Sequence, residues 1–513
     1  MRYMFDRVTP ESVGVPSEQV TAMMTELKNA GIALHSCMFV RHGKVFAEGY
    51  ADYFNADSKH RMYSTSKSYA AMAVGALIGD GLVSLDDTVE DMFPEMILPE
   101  TDERIKKTTL RNMLNMQGPF WKCAYSGRIG MDWSHDFFAK TTDLREPGKD
   151  FYYDTSCSYM LCVLVEKLTG KNFLDYLKEK ALNKMGFSED AWCVNSPEGH
   201  AWGGSGVICT TEDTAKFAYL IMHDGEFMGE QLLPRDYVSD ARKPLVENSI
   251  EGDDQTCGRG YGYQIWAARL TNGAEGFAFL GMGDQSTIAI PEYDLIFLTT
   301  ADDQGIEPNE DYHSDMEHNN RGRRIIFNAF DKYIAPYVSN EPLPENEMAY
   351  ENMRQVLSKI KIPTQNGKCY EPIMDEVNGV TYKATTEGAN FSEFSISFNN
   401  NIGNLRYVTD RGEKTIRFGV RENILFQLNE PQYSGKAIRH PNGVGYRALG
   451  SGAWIDEHTL VVRVQVIDDY FGNMRLTFDF TDKDNVKVSG RKTAEWFLDE
   501  YVMDGIEYSA IKQ

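Results

Sequence analysis

Apolar positions in the first third of the chain recur mostly at helical spacing. Over 17–31, Val20, Met23, Met24 and Leu27 share one face and Gly31 ends the run, which predicts an amphipathic helix. ALHSCMFVRHGKVFAEGYAD predicts a β-hairpin, with Gly43 in the turn. From Ser64 the chain reads STSKSYAAMAVGALIGDG, where Tyr69, Met72, Ala73, Ala76 and Leu77 recur at helical spacing and Gly79 and Gly81 stop the run. This predicts a mostly buried helix with Ser64 at its N-terminus. TTLRNMLNMQG predicts a short helix capped by Thr108 or Thr109 and ended by Gly118, and 119–150 is aromatic and irregular, a candidate cleft wall. A second strongly apolar helix follows FYYDT, and a third covers KNFLDYLKEKALNKMGF. Residues 201–225 read as a glycine turn, a short strand and a helix capped at Thr210 or Thr211. GYGYQIWAARL reads as a strand, FAFLGMGDQSTIAIPEYDLIFLTTAD as two strands joined at 291–294, and a last helix covers about 321–336.

Strands at both ends of this region with helices between them predict an α+β domain, 1–336, with one antiparallel sheet flanked by helices. Prolines 342, 344, 363 and 372 punctuate a charged stretch around one helix, so 337–375 reads as a linker. From 376 to 513 the pattern is nearly all β. In TLVVRVQVI, Leu460, Val462, Val464 and Val466 alternate with more polar positions, and turns every ten residues or so predict a small barrel or sandwich.

Composition narrows the function. Of 513 residues, 52 are basic and 76 acidic, a net charge of −24, which argues against nucleic acid and anionic membrane surfaces as partners. No apolar run is long enough for a membrane span, and MRYMFDRVTPESVG carries no signal-peptide core. The eight cysteines are scattered without a C-x-x-C pair, which fits reduced thiols in a cytoplasmic protein rather than a zinc site or a disulfide framework.

The candidate chemistry is Ser64-x-x-Lys67. Three residues along a helix place both side chains on one face, and a serine beside an amine that can take its proton is an activated nucleophile. The spacing alone is cheap. It also starts at Ser358, Ser489 and Ser509, all in polar segments, and only Ser64 opens a long apolar helix. The bland alternative is an ordinary N-cap serine followed by a solvated lysine.

Five segments in order across residues 10–335 resemble the serine β-lactamase and penicillin-binding-protein-like family, especially its class C, esterase and D-aminopeptidase branch. They are RHGKVFAEGYA, YSTSKSYAAMAVGALIGDGLVSLDD, TTLRNMLNMQG, EPGKDFYYDTSCSYMLCVLVEKLTG and GMGDQSTIAIPEYDLIFL. The resemblance implies the family fold and acyl transfer through an acyl-enzyme, with Ser64 as nucleophile and Lys67 as base or relay. The family's Tyr-x-Asn maps to Tyr153-Asp154-Thr155, so Tyr153 would be the phenolic relay; Thr155 or Ser156 would supply the polar contact of the missing Asn. Tyr152 is the alternative, more simply a core aromatic. The family's basic-x-Gly segment maps to Met282-Gly283-Asp284. The cation that can hold a substrate carboxylate is absent, which favours an ester or amide without that group. Gly281 and Gly283 would let backbone approach the acyl group, and the N–H groups of Ser64 and Gln285 are the oxyanion-hole candidates. The C-terminal β-domain resembles the lipocalin-like barrels appended to D-aminopeptidase relatives.

Other residues take the bland reading. Glu166 reads as a solvated helix position, and His313 with His318 lack a third metal ligand. Phe120, Trp121, Tyr125 and Trp133 divide evenly between pocket and core, with Trp121 the candidate substrate contact. Specificity would lie in 119–150 and 240–258. The expectation is a serine hydrolase of a small ester or amide, hydrolysing it or passing the acyl group on, with no metal or cofactor implied and self-association left open. Its alternatives are a D-amino-acid peptidase or amidase, and a catalytically weak binding or scaffold protein.

Overall fold

The computed structural model describes residues 4–125, 132–248, 257–303, 315–387, 389–432, 438, 443–493 and 507–513. The chain divides into two compact units: residues 1–301, 312–361 and 435–438 in the first, 302–311, 362–434 and 439–513 in the second.

The first unit is built on an eight-stranded sheet. Its strands are β1 (Asp6–Arg7), β2 (Leu34–Arg41), β3 (Lys44–Tyr50), β4 (Cys257–Tyr261), β5 (Trp266–Arg269), β6 (Glu275–Gly281), β7 (Gln285–Ile290) and β8 (Leu295–Ala301), in the order β1-β3-β2-β8-β7-β6-β5-β4. The two chain ends of the unit meet at β2 and β8, which pair antiparallel with Phe39 opposite Phe297. The β2–β3 turn is His42-Gly43, both at positive φ (51° and 66°), as a two-residue hairpin turn requires.

The helix α1 (Ser17–Asn29) buries Val20, Met23, Met24 and Leu27 in a core with Phe39, Phe297, Ile326, Phe327 and Phe330. The sequence placed those four α1 residues on one face. On the helical side, α2 (Ser66–Gly79) packs against α3 (Thr155–Thr169), and both are apolar almost all round. A helix without a polar face is stable only when surrounded, and α2 is buried from Ser66 to Leu77. The helix α4 (Thr211–Met222) lies against β2 and β8, capped at Thr210 by a reciprocal bond with Asp213, and its Phe217 stacks on Tyr69 of α2.

Four local expectations change. GYGYQIWAARL is two strands, β4 and β5, turning at Gln264, whose φ is 58°. The run from FAFL to TTAD is three strands, with an extra turn at Met282–Asp284. Gly283 and Asp284 take φ of 72° and 69° there. Residues 119–150 contain a helix, Trp133–Ala139, capped by Asp132. The short helix Leu110–Leu114 is capped by Thr109 and stops at Asn115, before Gly118.

The second unit is a barrel of β9 (Thr381–Ala384), β10 (Glu393–Asn399), β11 (Ile402–Thr409), β12 (Gly412–Val420), β13 (Ile424–Pro431), β14 (Val444–Trp454), β15 (Thr459–Ile467), β16 (Phe471–Asp482), β17 (Asn485–Thr493) and β18 (Glu507–Lys512). Nine of them form a closed ring, β12-β11-β10-β9-β18-β17-β16-β15-β14. A parallel contact of Gly419 and Val420 with Ser451 and Gly452 shuts it, and β13 pairs alongside β14. The ring decides between barrel and sandwich. In β15 both faces are buried, so Arg463 and Gln465 are enclosed and bond to each other, and burial pushes the Arg463 pKa down to about 10. Among the described residues, no helix is long and apolar enough to cross a membrane.

Candidate active site

Ser64 stands in a tight turn, Tyr63–Thr65, immediately before α2. Tyr63 holds φ at 46°, rarely seen for an aromatic residue, and the Arg61 guanidinium lies 4.5 Å from its ring centre. Such a conformation persists only where surrounding contacts impose it. Met62, Tyr63 and Thr65–Leu77 are buried, whereas Ser64 is half-buried, so one hydroxyl of this turn reaches outward. The bland N-cap alternative does not hold. Thr65 precedes α2 with helical dihedrals, and no side chain caps the helix.

The Ser64 hydroxyl instead meets the amine. Lys67 Nζ donates to Ser64 Oγ at 3.0 Å and to the Gly204 carbonyl at 2.7 Å. Lys67 is 1% exposed. Gly204 is required by contact: a Cβ there would lie 2.5 Å from the Thr155 methyl and 2.9 Å from Trp202 Nε1. Arg61, fully buried, bonds Ser205 through Nε (2.8 Å, to the carbonyl) and Nη2 (3.1 Å, to Oγ). The Gly204–Ser205 turn is thereby tied to the strand that leads into Ser64.

Tyr153 lies beside this pair. Lys67 Nζ is 4.9 Å from its ring centre, and the ring stacks on Trp266 at 5.5 Å. The contact is through the ring face. Tyr152 points elsewhere, edge-on to Trp121 and near Arg145. Asp154 is buried and caps α3, accepting from the Ser156 N–H (2.9 Å) and Oγ. Thr155, half-buried, lies against Gly204 through its methyl, and its carbonyl accepts from Tyr125 Oη.

The third segment joins the sheet to the nucleophile turn. The Gln285 carbonyl accepts from Thr65 Oγ1 at 3.2 Å. Its amide donates to the Met282 (2.9 Å) and Ala301 (2.7 Å) carbonyls and accepts from the Ala301 N–H. Gly281 also needs its missing side chain, since a Cβ would sit 2.4 Å from the Met62 carbonyl. Met282 is half-buried and Gly283 buried at the turn.

The structure therefore brings Ser64, Lys67, Tyr153, Thr155 and the 281–285 turn into one neighbourhood. Trp121, 43% exposed, lies one residue back from Tyr153, its ring against Tyr152 and Arg145. Trp133 stacks on Tyr125 within a buried aromatic cluster, and Phe120 is fully buried. Glu166 pairs with His200 at 3.0 Å. His313, residues 126–131 and 249–256, and the His318 side chain lie outside the described residues.

Gly204, Arg61 and Gln264 were missed in the sequence. Gln264 is a buried hub: its carbonyl accepts from Ser68 of α2 and its amide from Ser158 of α3, while its Nε2 donates to the Met113 and Leu114 carbonyls. The paired glycines before SGVICT were the available signal for the first; nothing local marks the other two.

A family model described as Beta-lactamase matches residues 18–317, more than half of the chain. The chain belongs to this family. It is 23% identical over 256 residues to 6-aminohexanoate-dimer hydrolase of Paenarthrobacter ureafaciens, covering 45% of this chain and 64% of that protein; the chain thus spans under two thirds of that curated relative. Among solved structures it is similar to the octameric penicillin-binding protein homologue of Pyrococcus abyssi, at 15% identity and TM-score 0.47, covering 96% of this chain and 99% of that one. It is also similar to D-amino acid amidase of Ochrobactrum anthropi, at 16% identity and TM-score 0.46, covering 61% and 97%.

Proposed function

We propose that the chain is a serine hydrolase that opens a small ester or amide through an acyl-enzyme. The observation that carries this reading is the position of Lys67 Nζ, between Ser64 Oγ and the Gly204 carbonyl. The bond from the amine to the Gly204 carbonyl holds the nitrogen beside Ser64 Oγ. Acting as base, Lys67 Nζ takes the Ser64 proton on its lone pair as Oγ bonds to the substrate carbonyl carbon. The carbonyl oxygen, now negative, is held by the N–H groups of Ser64 and Gln285. The intermediate collapses as the leaving alcohol or amine receives a proton relayed by Lys67 and Tyr153. Water, or an acceptor alcohol, then attacks the acyl group by the reverse route and restores Ser64. Thr155, Met282, Gly283 and Trp121 are the proposed substrate contacts.

A second reading, hydrolysis of an amide of an amino acid, is favoured by the curated relative named for a 6-aminohexanoate dimer. Rates on a panel of p-nitrophenyl esters, a penicillin and D-alanyl amides, for wild type and Ser64→Ala, test both. Turnover that disappears with Ser64 is expected, and the preferred leaving group decides between ester and amide. Turnover that survives Ser64→Ala on every substrate contradicts the mechanism.

A further inference from the structure

We propose that Arg145 is an anchor for a carboxylate on the acyl arm of the substrate, an inference that rests on Ser64 as the nucleophile. Arg145 is 4% exposed. Its Nε donates to the Gly118 carbonyl at 2.8 Å and its Nη2 to the Met116 carbonyl at 3.0 Å. Its Nη1 is buried and has no acceptor among the described residues. A buried guanidinium N–H without an acceptor is costly, and a resident group of this kind calls for a ligand or water that completes it. Burial pulls its pKa below the ordinary arginine value, and Asp154 and Asp150 only partly offset this at longer range; among the described residues, neither carboxylate pairs with Arg145 within 4.0 Å.

The surroundings suit a small planar anion. The guanidinium carbon lies 4.8 Å from the Trp121 ring centre and 5.7 Å from that of Tyr152. Trp121 is the outer cover and is 43% exposed. The Met116 carbonyl that holds Nη2 also accepts the Tyr152 N–H at 2.9 Å. Arg145 is thus fixed to the segment whose next residue, Tyr153, lies against Lys67. The 281–285 turn carries no cation, Met282 standing where one would hold a carboxylate. Arg145 supplies the charge from the side of Tyr152 instead. A carboxylate oxygen on Nη1 gives that nitrogen the acceptor it lacks.

The test compares two p-nitrophenyl esters of equal acyl length, the valerate and the glutarate monoester, on wild type, Arg145→Gln and Arg145→Lys. Wild type is expected to favour the glutarate ester by about tenfold or more in kcat/KM, mainly through KM, as a charge-assisted hydrogen bond predicts. In Arg145→Gln the ratio falls to near one. Glutarate itself should inhibit valerate hydrolysis competitively in wild type and change the fluorescence of Trp121, a change lost in Trp121→Phe, and these readings stand if neither Arg145 variant folds. A wild-type ratio near one, a ratio that persists in Arg145→Gln, or no inhibition by glutarate overturns the anchor while leaving Ser64 intact. Inhibition by inorganic phosphate equal to that by glutarate makes this a general anion site and overturns the acyl-arm assignment. Failure of wild type to turn over either ester overturns the Ser64 reading, and this inference with it.

Discussion

The pairs Ser64–Lys67 and Ser509–Lys512 share the same spacing and nothing else. The first lies at the start of a helix buried on all sides, and its amine and hydroxyl are 3.0 Å apart. The second lies on β18, where residues three apart point to opposite faces of the sheet. Ser509 is exposed, and Lys512 pairs with Asp484 at 3.6 Å. Ser358 ends a helix and bonds back to the Gln355 carbonyl, and Ser489 is again in a strand. A three-residue spacing becomes a chemical pair only when the backbone is helical, the amine is walled from water and a second acceptor fixes it.

The largest expected effect breaks the comparison at its first residue. Ser64→Ala should lower turnover of every acyl substrate by about a thousandfold or more, while Ser509→Ala changes nothing, as steady-state rates will show. Lys67→Met should cost on the order of a hundredfold to ten-thousandfold in kcat, the range of a general base, with Lys512→Met as the silent counterpart. Gly204→Ala sharpens the contrast by leaving both members of the pair in place. Its Cβ collides with Thr155 and displaces the carbonyl that holds Lys67, so kcat should fall about tenfold with KM little changed, a 1 Å misplacement being enough for such a loss.

The smallest effect concerns the strand before Ser64. His35 and His60 are buried with ring nitrogens 2.8 Å apart, and burial pulls His60 down to about 4 and His35 down as well. Both are neutral when folded and take up protons when unfolded below their ordinary value of 6.5. The unfolded state therefore binds more protons between about 6.5 and 4, so stability falls as pH drops through that window, by roughly 3 kcal/mol for His60 alone. Thermal melting across this range should show the decline, and His60→Gln should flatten it.

Much of this was legible in the sequence because helix and hairpin periodicity report burial directly. The α1 face, the Gly43 turn, the Thr210 cap and the buried α2 were all readable from spacing. The turns at Gln264 and Met282–Asp284 were not, because their left-handed residues are Gln and Asp as well as Gly. The helix at Trp133 was hidden by aromatic residues that also suit loops. The candidate site was legible as types of residue, not as contacts. Gly204, Arg61 and Gln264 reach it from 137 residues downstream of Lys67, from a short strand and from a tight turn, and only folding brings them together.

The most direct measurement is the intact mass of the protein after brief mixing with a p-nitrophenyl ester, with Ser64→Ala alongside. The account predicts a mass gain equal to the acyl group on wild type, mapped to the peptide carrying Ser64 and absent from the variant. An equal gain on Ser64→Ala, or a gain mapped to another residue, would contradict it.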